Sequence, residues 1–207
     1  LVSKGYAKRI YRCKSIARYL LKETREGITA EKNNKIKKEI KYMESPKIVM
    51  QNIIAHVENP YDHIILMATI DEEGILSLGS VGNIFLSNKS YNYSFLLGII
   101  NSRFLSWYAY RFIYGKAIRT MRFDNYHLER LPFPNIGSTK INDKELYNAL
   151  VQLVDVMLKL SKRIQKSRGD EKEQIQRQIE KTDKEIDDIV YKLYGITEEE
   201  RKIIEAN

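Results

Sequence analysis

The 207-residue chain holds one cysteine, Cys13, and three histidines, His56, His63 and His127. One thiol cannot close an internal disulfide and suits a reducing compartment. No motif surrounds Cys13, so it reads as a semi-buried structural thiol. The histidines are too scattered to suggest a metal site, and no Cys or His spacing supports zinc. No apolar run reaches the roughly eighteen residues of a membrane span, and no signal peptide is visible; a cytoplasmic location is expected. Gly79-Ser80-Val81-Gly82 is not a phosphate-binding loop, because no helix start with Lys-Ser/Thr follows it. No Ser/His/Asp order is recognisable, nor an acidic cluster with the following Lys of a nuclease. Asp71-Glu72-Glu73 could bind a hard cation, but an exposed hairpin tip is the better reading. The chain is expected to be non-catalytic by itself.

Apolar residues are plentiful, at 43%, and supply a real core. The net charge is +8, and its placement matters more than its size. Residues 1–45 carry thirteen Lys/Arg against five Asp/Glu, 46–136 eight against seven, and 137–207 fourteen against fifteen. The excess cation is therefore N-terminal, with a second cluster over 103–122. Such clusters are the electrostatic footprint of nucleic-acid binding, although they also occur on merely solvated surfaces. The chain opens on Leu1 rather than Met, which leads us to expect a piece of a longer protein.

The other segments are organised around Phe95–Ile136. Its first half crowds Phe95, Leu96, Ile99, Ile100, Leu105, Trp107, Tyr108 and Phe112 together, too dense in large side chains for a surface helix. Asn92 or Ser94 could cap its start. Arg103, Arg111, Lys116, Arg119 and Arg122 follow with no acid before Asp124. Gly115 breaks the pattern, and Leu131-Pro132-Phe133-Pro134 cannot continue a helix. A buried helix over 95–114 thus hands over to a basic loop.

Before this stretch the spacing predicts a strand over 5–11 and a helix over 14–26, from Ile16, Tyr19 and Leu20, ended by Gly27. A polar helix over 30–43 follows, with Thr29 as its cap. Strands are expected over 47–55, 64–70, 75–78 and 81–86, with a turn at Asp71–Gly74. Gly79 and Gly82 suggest a bulge or a close backbone approach. This is a small, twisted, mixed or antiparallel sheet covered by the 95–114 helix. Asn59-Pro60-Tyr61 reads as a turn. Further on, Leu146, Leu150, Leu153, Met157, Leu160 and Ile164 recur at steps of four and three. So do Ile175, Ile179, Thr182, Ile186, Ile189 and Leu193. With Ser167–Asp170 between them they predict an antiparallel helical hairpin of coiled-coil type. Gly195 stops its second helix, and Thr197-Glu198-Glu199-Glu200 looks like the capped start of a last short one. The fold class is α+β (mixed α/β): a module over 1–136 with a small twisted sheet, then a helical hairpin over 137–207.

The pattern LLGIINSRFLSWY…G…R…L…LPFP resembles the C-terminal specificity domain of TaqI-like adenine-specific DNA methyltransferases, which include fused type IIG restriction-modification enzymes. Pro46–Gln51 resembles the strand that opens the core of that domain, and Asp187–Thr197 the helix end that closes it. The likeness spans roughly 46–205. It implies a target-recognition module that chooses the sequence and clamps double-stranded DNA. The reaction, methylation of adenine N6, would belong to a missing N-terminal domain that binds S-adenosylmethionine. An endonuclease needing Mg2+ could be fused ahead of it. Neither the glycine-rich cofactor turn nor the Asn/Asp-Pro-Pro-aromatic loop for a flipped adenine is present here, and Asn59-Pro60-Tyr61 lacks the second proline. The hairpin would dock the module or set its distance.

The candidate contacts follow from base-edge chemistry. Arg and Lys suit guanine, Asn and Gln suit adenine, and further cations anchor phosphates. Arg111, Lys116, Arg119, Arg122 and Asn125 lie on or beside the basic loop. Gln51 and Asn52 end the first core strand, and Ser77, Ser80 and Asn83 are expected on the sheet's open face. Each is equally an ordinary solvated polar residue. Two other classes stay open: a helical-hairpin module that self-associates, and an RNA-binding accessory domain that uses some of the 14 tyrosines for stacking.

Overall fold

The computed structural model describes residues 7–23, 27–29, 41, 43–87, 91–134 and 141–206. Except for residues 41 and 43, the helix expected over 30–43 lies outside them. The strands are short: β1 (Ala7–Tyr11), β2 (Ile16–Ala17), β3 (Leu20–Leu21), β4 (Gly27–Thr29), β5 (Lys47–Gln51), β6 (Ile53–Ile54), β7 (His56–Val57), β8 (His63–Ile64), β9 (Ala68–Asp71), β10 (Leu76–Ser77), β11 (Val81–Ile84) and β12 (Met121–Arg122). The helices are α1 (Tyr93–Ile100), α2 (Arg103–Tyr108), a π-helical turn (Ala109–Ile113), α3 (Asn125–Leu128), α4 (Ile141–Ile164), α5 (Gly169–Tyr194) and α6 (Glu198–Glu205). The class is mixed α/β, as the sequence indicates.

The central sheet is antiparallel in the order β11-β5-β9, and a second sheet, β10-β1-β4, contains the parallel pair β1–β10. Lys47-Ile48-Val49-Met50 of β5 is buried on both faces, as a near-continuous apolar run requires. Ile48 and Met50 join the main core with Phe95, Leu97, Ile99 and Ile100, whereas Val49 joins Ile16 and Val81 in a smaller cluster on the other side. The face of β5 away from α1 is therefore covered rather than open.

That cover corrects the helix expected over 14–26. Residues 16–21 form the β2–β3 hairpin, in register Ile16↔Leu21 and Ala17↔Leu20. Its turn places Tyr19 at φ +58, and the Tyr19 N–H donates to the Ala68 carbonyl at 2.9 Å. Ile16, Tyr19 and Leu20 are all buried, but they satisfy helical spacing only by coincidence. Gly27 and Thr29, expected at helix ends, lie in β4. The strand expected over 47–55 divides at Asn52, and that over 64–70 divides at 65–67. Gly74 has φ +67, as its turn demands. Asp71 is not at an exposed tip; it is fully buried, and its carboxylate accepts from Lys47 Nζ at 2.5 Å. Gly82 sits where a Cβ would fall 2.6 Å from Asn52 Oδ1, whereas Gly79 faces open space.

The helix expected over 95–114 starts two residues earlier, at Tyr93, where Asn92 Oδ1 accepts the Ser94 N–H. It breaks at Asn101-Ser102, and both residues are used. The Asn101 side chain accepts from Ala68 N at 2.9 Å and donates to Ala68 O at 3.0 Å, so it pairs with β9 as a further strand would. The Ser102 hydroxyl caps α2 by accepting the Leu105 N–H.

Helices α4 and α5 form the expected antiparallel hairpin, 24 and 26 residues long. Gly195 ends α5 in the left-handed conformation, and Thr197 with Glu200 makes a capping box on α6. None of the heptad residues is exposed. Leu150, Val154, Met157, Ile186 and Val190 share one hydrophobic cluster with Phe95 and Ile48. A Cβ on Gly98 would come within 2.8 Å of Val154 and 2.9 Å of Leu150, so α1 and α4 touch nearly backbone to side chain. The core is continuous across residue 136. Among the described residues no helix is long and apolar enough to cross a membrane.

Candidate nucleic-acid interface

The basic loop grows out of the end of α2. The helix widens into the π turn, where the Tyr114 N–H reaches back to the Ala109 carbonyl at 3.0 Å; such turns often mark functional positions. Gly115 and Lys116 then reverse the chain at φ +57 and +61. Positive φ is costly for Lys116, which has a Cβ. Its N–H is held by the Tyr110 carbonyl at 2.9 Å. Burial, with the Asp62 carboxylate adding to it, pushes the Tyr110 hydroxyl above its ordinary range. Ala117 packs half-buried against the core, residues 118–120 are exposed, and then Met121 turns inward and Arg122 outward in β12, paired with Ile54 and Ile53 of β6.

The return is pinned equally well. The Tyr114 hydroxyl donates to the Arg122 carbonyl at 2.9 Å, and its ring stacks on His127 at 5.2 Å. Phe123 is buried, and its N–H donates to the Asn52 carbonyl at 2.8 Å. The hydrogen bond with His127 holds the Asp124 carboxyl below the usual range at the start of α3. Lys116, Arg119, Arg122 and Asn125 are all exposed on this fixed frame, and Arg111 lies half-buried over the Trp107 ring at 5.3 Å. The cationic turn is presented to solvent.

The other candidates are placed differently. The Gln51 side chain donates to the Ile16 carbonyl at 2.7 Å, tying β5 to the β2–β3 hairpin. Asn52 is half-buried, with its backbone bonded to Ser80 and Phe123. Ser77 and Asn83 hydrogen-bond each other at 2.7 and 2.9 Å, and the Ser80 hydroxyl accepts the Cys13 N–H. These five are brought together around β5, β10 and β11, and the side chains of Gln51, Ser77, Ser80 and Asn83 are engaged inside the fold.

What the sequence reading passed over is apolar. Ile118 is 75% exposed, Tyr126 is 64% exposed and Ile53 is exposed too; Phe112, expected from its place in the apolar run to be buried, lies beyond the end of α2 and is 58% exposed. Arg130 lies over the Tyr126 ring at 5.5 Å. Tyr61, Asp62, Tyr110, Arg111, Lys116 and Ile118 line a groove of about 430 Å³. The signal was present: Ala117-Ile118 is the one apolar step between Lys116 and Arg119, with no periodic partner to bury it.

A second polar cluster joins the module to the hairpin. Arg18 donates to both Asp183 oxygens, at 2.6 and 2.8 Å, and to the Asn101 carbonyl at 2.7 Å. The neighbouring Asp187 accepts the Arg103 N–H at 2.9 Å. Burial, partly offset by that bond, pushes the Asp187 carboxyl up to about 6. The unfolded chain therefore loses this proton first as pH rises, near 4. Across the interval from about 4 to about 6 the native state holds the proton that the unfolded state has lost, so stability falls with rising pH. Asp187→Asn is expected to be more stable than the parent at pH 7 by about 1–3 kcal/mol. The gap should close as pH falls through the same interval, when thermal melts of the two proteins are compared.

Among the described residues no group of three or more His, Cys, Asp or Glu side chains could hold a metal ion. The family model of the TaqI-like C-terminal specificity domain matches residues 8–133, from β1 to the end of the basic segment. The resemblance read from the sequence over 46–205 starts later and runs into the hairpin, which the match does not include. No curated protein and no solved structure matches the chain.

Proposed function

The chain belongs to the TaqI-like C-terminal specificity domain family, and on that premise we propose that it recognises double-stranded DNA for a methyltransferase or restriction system. The observation that carries the reading is the exposed run Lys116, Arg119, Arg122 and Asn125 on a rigid frame, in a segment with no acid between Arg103 and Asp124. Because the backbone that carries them is pinned on both sides by hydrogen bonds, the loop itself has little ordering left to undergo on meeting a duplex. In this reading residues 1–136 select the site, and the α4–α5 hairpin braces them against the catalytic part. Adenine N6 methylation with S-adenosylmethionine, and any Mg2+-dependent cleavage of the type IIG kind, belong to that other part, in a prokaryotic cytoplasm.

The test is duplex binding across a salt series. Replacing Arg119 and Arg122 together with Ala is expected to weaken binding several-fold. The slope of log K against log salt should become shallower by about 1 for each phosphate that the variant no longer neutralises. Unchanged affinity and slope would remove the basic loop from the interface. Preference for single-stranded RNA over duplex DNA would overturn the reading in favour of base stacking on tyrosines.

A further inference from the structure

We propose that Ile118 reads the 5-methyl group of a pyrimidine in the major groove of duplex DNA. The inference deepens the DNA-recognition reading and rests on it. At 75% exposure Ile118 is the most solvent-exposed large apolar side chain among the described residues. It lies in no helix or strand. No residue of the described chain covers it, so its apolar surface is available to be buried against a partner.

Its surroundings decide what kind of surface would cover it. Lys116 and Arg119 flank it in sequence, and Arg111 and Lys116 share its groove, with Asp62 the one acid lining it. Cations beside an apolar tip are complementary to a polyanion that offers an apolar group between its charges. In the major groove of B-form DNA the apolar group on the base edges is the pyrimidine 5-methyl, flanked by phosphate rails that would meet the cations. The groove is wide enough to admit a secondary-structure element, and so a turn of this size. The backbone anchors at Tyr110, Tyr114 and Phe123 fix where the Ile118 tip sits. It therefore reads a position rather than adding general stickiness.

The same methyl can come from thymine or from 5-methylcytosine, and the experiment separates them. Preferred duplexes are first enriched from a randomised library with the full-length protein. The enriched sequence is then made with every thymine as uracil, or with every cytosine as 5-methylcytosine. Wild type and Ile118→Ala are compared on all three. Because Ile118 is exposed, the variant should keep the parental melting temperature. The expected result is a rise of about four-fold in the wild-type Kd on the uracil duplex, corresponding to one methyl group removed from the interface. Ile118→Ala should bind the thymine and uracil duplexes alike. If instead only 5-methylcytosine changes binding, tightening wild type and not the variant, the methyl is that of a modified cytosine and the inference still stands. The inference is overturned if wild type ignores both base changes, or if the variant responds to them as wild type does. It is also overturned if Ile118→Ala leaves duplex affinity intact but loosens attachment of the catalytic domain, which would make the tip a protein contact. Failure of wild type to bind any duplex would instead bring down the DNA-recognition reading itself.

Discussion

Asp71→Ala should destabilise the fold by about 3–5 kcal/mol, the scale for stranding one member of a buried ion pair. Lys47 and Asp71 are both fully buried on neighbouring strands, with Nζ and Oδ2 2.5 Å apart. The ammonium also donates to the carbonyls of Met43 at 2.7 Å and Ile75 at 3.0 Å. The carboxylate accepts two further N–H groups, from Glu73 at 3.1 Å and Ile75 at 2.8 Å. The pair thus fastens the entry to β5 to the turn after β9. Removing the carboxylate leaves a buried cation and two backbone donors without their partner. Denaturant unfolding should show the loss as a lower midpoint. Lys47→Met combined with Asp71→Leu should recover part of it and no more. The charges are then gone together, yet the turn's N–H groups and the two carbonyls remain unpaired. Full recovery in the double variant would mean that the backbone bonds contribute little and the ion pair is the whole effect.

Phe95→Ala is expected to cost a comparable amount, about 3–5 kcal/mol, for deleting a buried aromatic side chain. Phe95 is fully buried in α1, and its ring stacks on Tyr147 of α4 at 4.4 Å. The Ser94 hydroxyl beside it donates to Asp155 at 2.6 Å, and Gly98 one turn on lets Leu150 and Val154 close in. The consequence extends beyond the size of the loss. Because α1, the β5 face and the hairpin share one cluster, the module and the hairpin should unfold in a single transition. The variant should shift that transition without splitting it. A Phe95→Ala protein whose helical signal melts separately from its tertiary signal would show that the hairpin stands alone and that the shared core is not cooperative.

The periodic elements were legible in the sequence. The hairpin followed from heptads, its C-terminal end from Gly195, the start of α6 from Thr197, and the start of α1 from Asn92, one of its two cap candidates. Each of these signals is local, set by side-chain spacing or a cap within a few residues. The hairpin at 16–21 was not legible, because its apolar spacing matches a helix and only packing against β5 and Ala68 selects strands. The Asn-Ser-Arg at 101–103, which helped carry the resemblance, gained its meaning only from its distant partners. Asn101 pairs with Ala68, and the Arg103 N–H meets Asp187.

At the candidate interface the division is similar. The run of cations without acids needed nothing but the sequence, since charge is a property of residue type. Which polar residues remain free needed the folded chain. Gln51, Ser77 and Asn83 have the chemistry to meet a base edge, but each is engaged by a neighbour elsewhere in the fold, whereas Arg119 and Arg122 are turned outward. The sequence alone determined the heptad hairpin, the helix ends at Gly195 and Thr197 and the location of positive charge, because short-range spacing and residue identity govern these. Only the tertiary structure decided which face of β5 is covered, which side chains are spent on the fold and that Ile118 is left bare, because burial depends on what long-range packing places alongside.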